Sequence, residues 1–455
     1  MKWLKWFGVA LGVIVLILAA VPFFFSLESY IPRIEKEISA RIKEPVKIAS
    51  LRAAGLPLPH ITVGGVTVGK TEDIKVGKVT VTPDLFSLLG STKIIKSIEI
   101  DDLVLTQKAI DKIPVWTKPE GGKPGKRAGA EPSAPAVRVG SIKLDNAILK
   151  LQQATFGPFD AKLNLSGEGN LESASIVTQD GKLKATVKPD GSNFLVDAIA
   201  KGWKLPAGPA IHFDELVLKG VATLNDANFS DVRAKLYGGT VAGKATVGWA
   251  KGIQLKGNAD VSQVEVKPML LALGKPATLS GKLNAKPVFS ANAANADQIG
   301  NALRLETPFD VQNGILHGVD VKKAATSLIS RDGGKGGETR FDKLTGHLAM
   351  DRGTRRLTQL NIVSGSLAGD GNVTISPADE LSGKVNVNVK AAGTSANVPL
   401  NVAGTMESPL LYPTGGTVAG AALGTAVAGP LGTGVGAKVG QWTEGLFGKK
   451  EEKKK

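Results

Sequence analysis

The chain has no cysteine among its 455 residues. Disulfides, thiolate metal sites and cysteine nucleophiles are excluded together. That does not fix the compartment, since an oxidising space permits disulfides without requiring them. Aromatic residues are scarce, 5% of the chain, and no basic stretch is interleaved with them. Single-stranded nucleic acid is held on such stacking platforms, so no nucleic-acid partner is expected. Histidine occurs at His60, His212, His317 and His347, with no two at metal-ligand spacing. HExxH, a G-x-S-x-G elbow and a glycine fingerprint between strand and helix are all missing. Gly333 to Gly337 is a glycine-rich loop holding Lys335, but its spacing is not that of a phosphate loop. The chain does not read as an enzyme, and no metal, cofactor or catalytic residue is expected.

Charge is missing from Phe7 to Leu27, a run of Val, Leu, Ile, Ala and Phe. About 20 such residues span a hydrocarbon core as a helix. Lys2 and Lys5 precede the run with Trp3 and Trp6, residue types that sit at a headgroup layer. A cleaved signal peptide begins alike, but its apolar region is about 7–15 residues long and ends in small residues. Here the run continues through Val21, Pro22 and Phe23–Phe25. Residues 1–27 therefore read as an uncleaved signal anchor. Basic residues flank both sides (Arg33, Lys36, Arg41 and Lys43 follow), so the positive-inside count is not decisive. A short cytoplasmic terminus with the bulk outside is the simpler arrangement. The excess of 56 basic over 41 acidic residues, a net +15, fits attraction to anionic lipid headgroups.

What is abundant is alternation. Leu27, Ile31, Ile34, Ile38 and Ile42 first recur at helical spacing, with Ser29 placed to cap, Pro32 in the first turn and Pro45 at the stop. From Val46 the period becomes two. Val79 and Val81, Ile98 and Ile100, Leu163 and Leu165, and Leu216 and Leu218 alternate with polar residues. The clearest case is Lys384–Lys390, where Val385, Val387 and Val389 share one face. Turn dipeptides such as Asp180-Gly181 and Asp190-Gly191 punctuate these runs. The pattern predicts antiparallel strands, each apolar on one face. A turn at Asp84–Leu89 and short helices at Val264–Leu273 and Val321–Ile329 interrupt them.

The predicted organisation is an anchor at 1–27, an amphipathic helix and β region at 28–116, and a linker at 117–136 made of Pro, Gly, Lys and Ala. A β region at 137–407 follows, then a glycine-spaced apolar segment and basic tail at 408–455. In that last segment Gly416, Gly420 and Gly424 are four apart, as are Gly432, Gly436 and Gly440. On a helix each set makes a smooth stripe of the kind that lets membrane helices approach. A spanning helix, an interfacial hairpin and an unstructured tail all fit this composition. The fold class is mainly β, with few helices to cover the apolar faces. A closed sandwich or a curled, groove-forming sheet would satisfy them, the second by sheltering acyl chains along valines such as 385, 387 and 389.

Several motifs carry a resemblance. They are Val46–Leu51, Leu85–Leu89 leading into Ile98–Asp101, and, most specifically, Asn313–Asp320, Thr339–Gly346 and Leu367–Gly371. The chain resembles the AsmA-like family of bacterial envelope proteins, relatives of the bridge-like lipid transfer proteins, over nearly its whole length. The resemblance implies a single-pass inner-membrane anchor, a periplasmic β-groove, and a part in phospholipid transport or outer-membrane homeostasis. Phospholipids, the inner membrane and other envelope or outer-membrane proteins are the implied partners. An assembly factor for outer-membrane proteins is the main alternative, holding unfolded β segments on the same apolar face or at strand edges. The anchor generates a first expectation. Intact-mass measurement of the membrane-extracted protein should include residues 1–27, and a mature start near Ser26 would refute an uncleaved anchor.

Overall fold

The computed structural model describes residues 27–55, 58–90, 92–116, 137–151, 155–206, 208–295, 298–326, 335–365, 367–391 and 394–414. The anchor run up to Ser26, the stretch 117–136 and the glycine series from Gly416 to Gly440 lie outside them. No described helix is long and apolar enough to cross a membrane. The described residues form 23 strands and five short α-helices, so the fold is mainly β. Two compact units divide between Ile199 and Ala200.

The amino-terminal unit opens with a 3-10 turn, Leu27–Tyr30, and helix α1, Ile31–Ile42. Pro32 occupies the first turn, and Lys43 closes the helix with a left-handed φ of 58°. The cap differs from the sequence expectation. Tyr30, not Ser29, holds the N-cap position, without a side-chain capping bond. Strands β1 (Val46–Ala54), β2 (His60–Val68), β3 (Ile74–Pro83) and β4 (Lys93–Asp101) run antiparallel in turn. Along the edge strand β1, Glu35 Oε1 accepts the Ile48 N–H at 2.7 Å and Ser39 Oγ accepts that of Val46 at 3.0 Å. Helix α1 thus satisfies an edge that would otherwise offer free donors.

Antiparallel pairing is not universal. Strand β5 (Val104–Thr106) leads into helix α2, Gln107–Trp116, which the periodicity did not reveal. The chain returns as β6 (Val137–Lys150), parallel to β4 and β5. A parallel pair needs a long crossover, and α2 with 117–136 supplies one. Lys112 on α2 reaches Glu44 at 2.6 Å and Asp73 at 3.1 Å, tying the crossover to the turn between β2 and β3. Strands β7 (Thr155–Leu165), β8 (Leu171–Thr178), β9 (Leu183–Asp190) and β10 (Asn193–Lys204) complete the series. One cross-strand row reads Leu51, Val63, Val79, Ile100, Leu144, Ala161, Ile176, Ala185. Alternation in each strand has become one continuous apolar face.

The carboxy-terminal unit continues with β11 (His212–Ala222), β12 (Asp226–Leu236), β13 (Gly239–Gly248) and β14 (Ile253–Glu265). Helix α3 (Val266–Ala272) lies within the expected 264–273 and precedes β15 (Leu279–Ala285), β16 (Val288–Ala293) and helix α4 (Ile299–Ala302). Next come β17 (Arg304–Val319), helix α5 (Val321–Thr326) and β18 (Lys335–Asp351). The glycine loop expected at 333–337 is therefore already strand from Lys335 onward. Strands β19 (Thr354–Ser364), β20 (Leu367–Ile375), β21 (Leu381–Ala391), β22 (Thr394–Gly404) and β23 (Pro409–Pro413) follow. The last pairs with β22, so the sheet runs past the expected end at 407.

The sheet of this unit curls until its last strands meet β17. Gly318 at the end of β17 lies against the Pro409 ring of β23. Between them Val319, Val321, Ala324 and Ala325 pack with Leu367, Val387, Val389, Val398, Leu400 and Leu411. Leu400 is 0% and Val387 1% exposed. Full burial of such side chains contributes about 1.5–3 kcal/mol each. Val387→Asp should therefore cost more than about 4 kcal/mol, as an unpaired charge among packed methyls. A circular-dichroism melt close to that of the parent protein would contradict this packing.

Candidate functional site

The sequence singled out Val385, Val387 and Val389 as facing acyl chains. They do share one face, but Val387 and Val389 are buried under α5 and the facing strands, with Val385 packed against the same cluster. Protein side chains cover them, so this end of the face is closed. The open part lies earlier in the unit.

There the register aligns apolar residues across six strands. One row is Leu216, Ala234, Val241, Val261, Ala285 and Phe309. In β13 and β14 the residues on this face, Val241, Ala245, Val247, Leu255, Ala259 and Val261, are half-buried. Their neighbours of opposite parity, Lys244, Thr246, Lys256, Asn258 and Asp260, are exposed and polar. Many floor residues are small: Gly243, Ala245, Gly257, Ala259, Ala291 and Ala293. Gly257 needs to be. A Cβ there would come within 2.6 Å of the Phe289 ring, which lies across it. A floor of small side chains makes a shallow trough with no discrete polar contact.

Helices cover only part of this face. On α3, Val266, Met269 and Leu270 pack over Phe309, Val311, Phe341, Leu344 and Ile362. Leu271 and Leu273 on the same segment stay exposed at 58% and 44%. Helix α5 covers β21–β23. Beside β11–β13 no helix is packed among the described residues.

Two polar groups hold the covers in place. Thr339, 6% exposed, accepts the Val321 N–H and donates to the Val319 carbonyl, both at 2.9 Å, and so fixes the entry to α5. Asp320 Oδ1 accepts the Lys323 N–H at 2.8 Å in the helix's first turn. Beyond α3, Lys275 Nζ lies 3.1 Å from Asp379, which also pairs closely with Arg355. Hydrogen bonding from Arg355 holds the Asp379 carboxyl below the usual range, against burial and with help from Lys275. Lys275 and Asp379 are 104 residues apart, and nothing local in the sequence marks them as partners.

The histidines are dispersed. His60 Nδ1 meets the Leu58 carbonyl at 2.8 Å, and His212 and His347 sit in β11 and β18. His317 lies between Ser280 Oγ at 3.2 Å and Glu338 Oε1 at 2.9 Å. That is the connectivity of a nucleophile, base and acid, which sequence spacing hid. Its surroundings differ from such a relay. Ser280 is paired inside the β15–β17 ladder, where its backbone serves the sheet, and the Glu338 side chain is 49% exposed. A catalytic serine instead needs free donors aimed at a developing oxyanion. The row reads as a cross-strand polar ladder.

Some of the residues that carried the family resemblance, in the three carboxy-terminal motifs, pack in the covered part of the sheet. Gly314 lies under the Phe341 ring, where any side chain would overlap it. Thr339 anchors α5, and Leu367 is buried in the same core. Residues 197–360 match the model of the AsmA family. Over this stretch the chain is similar to the AsmA family. The match spans the open trough and the Asn313–Asp320 and Thr339–Gly346 motifs. The amino-terminal motifs and Leu367–Gly371 fall outside it, so it is narrower than the resemblance read along the whole chain. Comparison with curated proteins and with solved structures gives no match.

The Lys275–Asp379–Arg355 cluster gives a pH-dependent expectation. A carboxyl depressed in the folded state stabilises fully above its unfolded pKa, and the contribution disappears as pH falls through the folded value. Asp379→Asn should cost about 1–3 kcal/mol at neutral pH. In melts at decreasing pH the gap from the parent should close below about pH 4. A gap that stays constant would show that the ion cluster does not stabilise the unit.

Proposed function

We propose that this AsmA-like protein is an inner-membrane-anchored, periplasmic lipid carrier. Its trough over β11–β16 shelters phospholipid acyl chains for transport or for outer-membrane homeostasis. The observation that carries the reading is the continuous apolar row from Leu216 to Phe309, buried at Leu216 and Ala234 but half-buried at Val241, Val261 and Ala285, with no helix packed beside β11–β13 among the described residues. Each methylene kept from water is worth about 0.8 kcal/mol, so a chain of methylenes crosses an aqueous gap only under cover. A strip of small and branched apolar side chains gives that cover without recognising any single atom. No catalytic group is required. The match to the AsmA family over residues 197–360 is consistent with an envelope role, and the apolar run from Phe7 to Leu27 supplies the anchor. Val385, Val387 and Val389 belong to the closed end of the path in this reading.

The alternation itself provides the test. A photoreactive benzophenone side chain at Leu255 would face the trough, while one at Lys256 would face the opposite side. Irradiation in cells should give phospholipid adducts at 255 and few at 256. Equal labelling, or none at 255, would end the lipid-path reading. Crosslinks at 255 to unfolded outer-membrane barrels instead of lipid would favour an assembly factor.

A further inference from the structure

Five apolar side chains stand out from one end of the amino-terminal unit. Phe86 is 91% exposed, Val137 61%, Leu58 54%, Leu85 49% and Ile94 38%. Register places them together along the sheet. Ala54 and His60 close β1 on β2 beside Leu58, and Pro83 and Ile95 close β3 on β4 beside Leu85, Phe86 and Ile94. The parallel pair Lys93 and Val137 puts the start of β6 at the same end. The turns at the opposite end are polar and acidic, with Glu72, Asp73, Asp102 and Asp180. At the Phe86 end itself, the turns after β7 and β9 are polar, carrying Ser166, Glu168, Asn170 and Ser192. The apolar set is thus confined to the β1–β6 side.

Phe86 is held out by a well-bonded turn. Ser87 N–H donates to Asp84 Oδ1 at 3.1 Å, its hydroxyl donates to the Asp84 carbonyl at 2.7 Å, and it accepts the Ile94 N–H at 2.8 Å. Arg52, Lys96 and Arg138 are exposed around this end. The one acid of the turn, Asp84, is occupied by Ser87. An apolar tip ringed by cations matches an anionic lipid interface, where aromatic and basic residues sit at the headgroup layer.

The chain's own direction leads to the same place. Moving from Val46 to Ile48 along β1, the helix partners go from Ser39 back to Glu35, so α1 runs antiparallel to β1. Its amino terminus and the preceding turn at Leu27 therefore point toward the Ala54 end of the sheet. Leu27 is where the uncharged run from Phe7 ends.

We propose that this end of the amino-terminal unit is a second membrane contact. Phe86 and Leu85 enter the headgroup–acyl boundary of the bilayer that holds the anchor. The inference rests on the anchored reading above. It adds that the anchor does not act as a free tether: the first strands stand on the membrane in one orientation.

The natural lack of cysteine makes the test direct. Full-length protein is reconstituted into vesicles of phosphatidylethanolamine with a minority of phosphatidylglycerol. Single cysteines at Phe86→Cys, Lys70→Cys at the opposite end, and Ile14→Cys in the apolar run carry an environment-sensitive fluorophore. Nitroxide-labelled lipids serve as quenchers. Blue-shifted, quenched emission at 14 and 86, with neither at 70, is the expected result. Quenching at 14 with position 86 behaving like position 70 would overturn the second contact while leaving the anchor. An unquenched label at 14 would overturn the anchored reading and this inference with it.

Discussion

Most of the described strands have one predominantly apolar face, and that face must be kept from water. A lone amphipathic strand does not fold. Many in register make an apolar surface that needs a cover, and helices are too short and too few to cover all of it. The carboxy-terminal unit meets this constraint in two ways along its length. Where α5 and the curl toward β23 close over the face, the core is packed to 0–1% exposure at Leu400 and Val387. Along β13 and β14 the floor carries small side chains and stays half-buried.

The two treatments divide the labour. A packed end supplies stability, and its parts interlock: Thr339 holds α5, Phe341 lies over Gly314, and Arg355 with Lys275 secures Asp379 beyond α3. An open trough has the opposite need. In the proposed lipid path its surface would be smooth and unspecific, because an acyl chain offers only methylenes to hold. That one pattern of alternation serves both ends explains why valines at 385, 387 and 389 look in sequence like any other strip of trough.

Sheet edges and crossings impose a second constraint. An edge strand offers unpaired donors, and β1 is managed by side chains of α1. The parallel return of β6 depends on α2 and the 117–136 stretch, with Lys112 bridging Glu44 and Asp73 at its start. The Lys112 bridge lies at the carboxy-terminal end of α1, whereas the exposed Phe86 turn lies at the other end of the sheet, toward which the amino terminus of α1 points.

Local pattern alone determined much here. The switch from a period of 3.6 to one of 2 at Val46, the sites of α1 and α3, and the amphipathic character of the strands follow from side-chain spacing, because those periods are properties of the backbone. So do the missing cysteines and the uncharged run before Glu28. Tertiary structure decided which apolar faces are closed. Burial of Val387 depends on α5 and β23, which approach it only once the sheet has curled. The Ser280–His317–Glu338 row and the Lys275–Asp379–Arg355 cluster likewise join residues far apart in the chain. Spacing along a strand sets which way a side chain points; what it meets there is set by strands and helices that arrive from elsewhere.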